Sequence, residues 1–89
     1  MKTRKGYTLR SLGKEIVLVA EGLEAVDFSR MISLNESAAF LWRSVEDKDF
    51  EAETLVELLL EEYGITRDVA EKDVAALLQT WKEADIVIY

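Results

Sequence analysis

Cysteine, histidine and proline are all missing from this 89-residue chain. Without cysteine there is no disulfide, no thiolate ligand and no redox switch, a composition suited to the cytoplasm. Without cysteine or histidine the usual ligands for zinc, iron and copper are gone, so no metal or organic cofactor is expected. The same gap removes the common nucleophile and general base, and acid–base work would need a buried carboxylate pair instead. The acids are spread along helical faces, so no enzyme is expected. No apolar run approaches the ~20 residues of a membrane span. Lys2, Arg4 and Lys5 are not followed by the apolar core of a secretory signal.

What is present belongs to a folded protein: 49% of residues are hydrophobic and 33% charged. The length suits one domain with one modest core, residues 1–89. Residues 1–6 show no apolar periodicity and are expected to be flexible. The net charge of -7 is unevenly placed. Lys2, Arg4, Lys5, Arg10 and Lys14 precede every acid, whereas Glu46, Asp47, Asp49, Glu51, Glu53, Glu57, Glu61 and Glu62 crowd one later region. A surface that neutralises phosphates needs the opposite sign, so nucleic acid is not an expected partner. The acidic region reads as a solvated face that keeps a small domain dispersed.

Organisation follows from periodicity. Tyr7 to Ser11 alternates, Gly13-Lys14 turns, and Glu15 to Ala20 is rich in β-branched residues, which together read as a hairpin. After a connection from Glu21 to Asp27, a third strand is expected at about Ser29 to Leu34. Asn35 then caps a helix whose stripe is Ala38, Leu41, Trp42 and Val45. A second helix is expected from about Glu51 to Tyr63, with Leu55, Leu58, Leu59 and Tyr63 inward and Gly64 as its stop. Thr66 or Asp68 caps a third helix to about Ala84, with Ala70, Val74, Leu77, Leu78 and Trp81 as core. Ile86 to Ile88 is extended and apolar, and is expected to pair with or pack on the sheet. Phe28, Phe40, Trp42 and Trp81 read as packing aromatics. The fold class is therefore α+β: a small winged-helix-like domain, a three-stranded antiparallel sheet followed by a three-helix bundle.

Three segments in order carry a resemblance. Leu34-Asn35-Glu36 leading into Ala38-Ala39-Phe40-Leu41-Trp42 is the first. Leu55-Val56-Glu57-Leu58-Leu59 running to Tyr63-Gly64-Ile65 is the second, and Asp73-Val74 with Leu77-Leu78 the third. Together they resemble the PqqD family, small proteins of coenzyme PQQ biosynthesis, over nearly the whole chain. Two turns depart from the family pattern. Glu46-Asp47-Lys48-Asp49 stands where the family usually has a glycine, and Asp85-Ile86-Val87 where it tends to have Gly-Leu-Ile.

The resemblance implies a function that composition does not. Proteins similar to PqqD hold the leader of a ribosomally made precursor peptide and present it to a modifying enzyme, often a radical S-adenosylmethionine enzyme. The family's peptide lies between the third strand and the last helix as an added strand. Mapped by that likeness, the peptide-binding residues are Arg30, Met31, Ile32, Ser33 and Leu34 on the strand. On the helix they are Val69, Lys72, Asp73, Ala76 and Thr80. An edge strand supplies backbone groups for sequence-independent affinity, and small Ala76 allows close approach. Lys72 or Arg30 is expected to pair with acidic leader residues. Asp73 has a commoner use, accepting from a nearby loop amide, and Val69 a commoner place, in the core. An open strand edge also permits pairing with a second copy of the chain. The alternative on topology alone is a DNA-binding winged helix, which the acidic helices disfavour.

Overall fold

Strand alternation gives way to helical periodicity at Asn35, and the architecture divides there. This computed structural model describes the backbone of residues 1–21 and 26–89, and their side chains outside 21–30. In chain order the elements are β1 (Lys2–Thr3), β2 (Tyr7–Leu12), β3 (Glu15–Glu21), β4 (Val26–Leu34), α1 (Glu36–Val45), α2 (Ala52–Tyr63), α3 (Arg67–Glu83) and β5 (Val87–Ile88). The expected α+β class is observed: an antiparallel three-stranded sheet, order β2-β3-β4, followed by three helices. The connection expected at Glu21 to Asp27 falls largely outside the described residues, as does the side chain of Phe28.

The hairpin closes at Gly13, whose φ of 62° is reached without a Cβ clash and opens a two-residue turn from Leu12 to Glu15. Central β3 is buried on both faces. Leu18 joins the helical core, while Val17 and Val19 on the opposite face are also inaccessible. That is why this strand reads as a continuous apolar run rather than an alternation. β4 begins earlier than expected and pairs Leu34, Ser33 and Ile32 with Ile16, Val17 and Leu18. Pairing resumes at Asp27 opposite Ala20, so residues 28–31 of β4 face the single residue Val19. This is an extended β-bulge, a device that bends a strand and increases its local twist.

Each helix is set by its caps. Asn35 Oδ1 accepts from the Ala38 amide at 2.8 Å and starts α1. Glu51 and Thr54 form a reciprocal capping box at α2, which ends on Gly64 in the left-handed conformation. Thr66 Oγ1 accepts from the Val69 amide and starts α3. The buried helix faces are Ala38, Ala39, Leu41, Trp42 and Val45, then Leu55, Val56 and Leu59, then Ala70, Val74, Leu78 and Trp81. Tyr63, expected inward, is instead 44% exposed at the end of α2, its ring edge-on to Phe40. Trp42 and Trp81 meet edge-on at 5.3 Å in the centre. Neither indole N–H has a partner, a cost of roughly 1–3 kcal/mol apiece. Burial of two large rings and their mutual contact offset it.

Residues 1–6, expected to be flexible, include the strand β1. Lys2 pairs with Ile88 and Thr3 with Val87, and Thr3 is buried. The Phe50 amide donates to the Met1 carbonyl at 2.8 Å, and the Arg4 amide to the Ile86 carbonyl at 2.9 Å. Arg4 also places Nε and Nη2 on Asp85 Oδ1. β5 thus pairs with the N-terminus and not with the three-stranded sheet.

Candidate functional site

β4 is an edge of its sheet: β3 lies on one side, and no described strand on the other. It runs without a break into Asn35, and Asn35 is where the surface hollows. A groove of about 320 Å³ lies between the first turns of α1 and the middle of α3, lined by Asn35, Ser37, Ala38, Leu41, Asp73, Ala76, Leu77 and Thr80, with Leu59 of α2 beneath. A second hollow of about 480 Å³ continues from it toward the α2–α3 corner, past Glu36, Leu59, Tyr63 and Ile65. A third, about 460 Å³, lies beside the hairpin turn and is bounded by Lys14, Glu15, Ile16, Ser33, Leu34 and Glu36. Asn35 borders all three.

Local chemistry holds the walls in place. Asn35 Oδ1 takes both the Ala38 amide and the Ser37 hydroxyl, the latter at 3.0 Å. Thr80 Oγ1 donates to the Ala76 carbonyl at 3.2 Å, a common way for a threonine to settle within a helix. Asp73, Ala76, Leu77 and Thr80 follow one another at helical spacings of three and four, so they share one face of α3. Arg67 at the start of α3 donates to Glu53 of α2 at 2.7 Å. That hydrogen bond, with the charge of Glu53, pushes the guanidinium pKa above its ordinary value.

The sequence-mapped residues divide unequally among these surfaces. Asp73, Ala76 and Thr80 come together in the groove, and Ser33 and Leu34 border the hollow beside the hairpin turn. Ile32 is half-buried against the core, and Met31 is 42% exposed. The side chain of Arg30 lies outside the described residues. Val69, weighed as a core residue, is 45% exposed, and neither it nor exposed Lys72 lines the groove. The Asp73 carboxylate has no hydrogen-bond or ion-pair partner among the described residues, so the local amide expected for it is not found there.

Ser37, Leu41, Leu59 and Leu77 are lining residues that sequence mapping missed. For Leu77 the signal was available, because it stands four residues after Asp73 on the same helical stripe. Ser37 and Leu41 belong to a helix whose cap and core stripe mark its position and not its share of the groove. The chemistry offered is recognition. Both groove hydroxyls are engaged locally. No cluster of three or more carboxylates suited to a metal ion occurs among the described residues. No helix of the described residues is long and apolar enough to cross a membrane.

No curated protein matches the chain. Among solved structures, one similar fold is "TbiB1 in Complex with the TbiA(beta) Leader Peptide", with a TM-score of 0.70 and 19% identity over 97% of this chain and 93% of that one. Another is "Lasso peptide synthetase B1 complexed with the leader peptide", at 0.69 and 23% over 99% and 96%. At these identities the likeness is one of fold. The family model described as "Coenzyme PQQ synthesis protein D (PqqD)" matches residues 3–87, and the chain therefore belongs to the PqqD family.

Proposed function

We propose that this chain is a non-catalytic module that binds the leader segment of a ribosomally made precursor peptide. It presents the peptide's core to a modifying enzyme, a radical S-adenosylmethionine enzyme in the first instance. The observation that carries this reading is the open edge of β4 leading, at Asn35, straight into the wall of the groove. A leader added along Arg30 to Leu34 would satisfy the edge through its backbone and choose its sequence through alternate side chains. One row of those side chains meets Asp73, Ala76 and Thr80, with Leu41, Leu59 and Leu77 as the apolar lining. Val69 and Lys72 would meet only a peptide that runs past the groove. Membership of the PqqD family supports the reading, as does the likeness of fold to two proteins solved with leader peptides bound.

The test is a titration of isotope-labelled protein with synthetic leaders from short precursor genes beside its own. The largest amide shifts are expected over residues 31–34 and 73–80. Ala76→Glu should weaken binding by about tenfold or more through bulk and charge, while a good helix former keeps α3 intact. Shifts confined to the exposed face of α2, with strand 31–34 silent, would falsify strand addition.

A further inference from the structure

The hollow at the α2–α3 corner has a composition that selects charge. Its apolar walls are Leu59, Tyr63 and Ile65, and its charged groups are the carboxylates of Glu36 and Asp73, with no cation among its lining residues. Neither carboxylate has a hydrogen-bond or ion-pair partner among the described residues. The Tyr63 ring is held edge-on by Phe40, with centroids 6.0 Å apart, and remains 44% exposed. The N-terminal end of α1 adds roughly half a positive charge nearby, which the full charge of Glu36 outweighs.

Three kinds of peptide side chain could enter. An acidic one meets two like charges. A purely apolar one covers the walls but strips water from carboxylates without replacing it. A basic one lays its aliphatic stem on the apolar walls and brings its head to the carboxylates. Arginine adds a flat cation that stacks on an aromatic face, which Tyr63 supplies. We infer that this hollow takes an arginine or lysine side chain of the bound peptide, so that Asp73 and Glu36 set a preference for basic leaders. The inference rests on the peptide-binding reading above. It differs from the expectation that Lys72 or Arg30 would pair with acidic leader residues: Lys72 does not line the hollow, and the side chain of Arg30 lies outside the described residues.

Three fluorescein-labelled peptide pools test it on the full chain. Each peptide is about nine residues long, a generous strand, with random Val, Leu, Ser, Thr and Tyr around a central Arg, Glu or Leu. By fluorescence polarisation the Arg pool should bind with a Kd roughly tenfold below that of the Glu pool, more so at low salt. Asp73→Lys should reverse that order. If that variant loses every pool, Asp73→Asn decides: a narrowed Arg-to-Glu gap supports the inference, and an unchanged gap overturns it. Equal binding of Arg and Glu pools to the unaltered chain overturns charge selection and leaves peptide binding standing. Failure of every pool to bind the unaltered chain removes the peptide-binding reading, and the inference with it.

Discussion

At the scale of single residues, the two places where this chain departs from the family pattern share one backbone property. Asp47 has φ 62° and Asp85 φ 60°, both in the left-handed region, and they are the non-glycine residues there among those described. Glycine enters that region freely, and aspartate is one of the few other residues that tolerates it. Each departure therefore includes an aspartate in a conformation that glycine enters most freely. Asp85 gains a partner in the Arg4 guanidinium, which Asp47 lacks. Asp47→Gly should then relieve roughly 1 kcal/mol of crowding and lose about half of it to unfolded-chain entropy. The expected outcome is a stabilisation of about 0.5 kcal/mol, read as a higher urea midpoint with an unchanged slope. The Asp47 amide, which donates to Thr3 Oγ1, is retained by glycine.

At the scale of elements, legibility in the sequence followed the strength of local signals. All three helices were readable to within a residue or so, because Asn35, Gly64 and Thr66 mark ends by chemistry that needs no tertiary partner. The hairpin was readable for the same reason. β1 was not, and although Ile86 to Ile88 reads as extended its partner does not, since a two-residue strand carries no periodicity and the pairing joins opposite ends of the chain. Tyr63 sits on the α2 stripe by spacing, yet no element of the core covers that last turn, so periodicity alone sends it inward. The groove was half readable. Asp73, Ala76 and Thr80 follow from the family likeness, whereas Ser37, Leu41 and Leu59 depend on how three helices meet. The β1–β5 ladder predicts a cost for truncation. Removing residues 1–5 deletes buried Thr3, leaves the Phe50 amide without its acceptor, and uncovers Ile86 and Val87. The melting temperature should fall by more than about 5 °C, the scale of roughly 1 kcal/mol in a domain this size. An unchanged melting curve would mean the ladder contributes nothing.

At the scale of the whole molecule, the charge of -7 sets which partners approach. Phosphate-rich duplexes are repelled, so a labelled DNA duplex should show no retardation at about 50 mM salt, where non-specific binding is strongest. A retarded band would return the DNA-binding alternative to contention. The ladder that joins the two ends also governs how the molecule yields to mechanical load. Lys2 lies across from Ile88 and Thr3 from Val87, so both chain ends leave from the same side of an antiparallel pair. Tension applied through the termini therefore loads the hydrogen bonds of that pair one after another, as a zipper opens, and not all together in shear. The first event under pull is loss of β1 and β5, before force reaches the sheet and helices that form the groove.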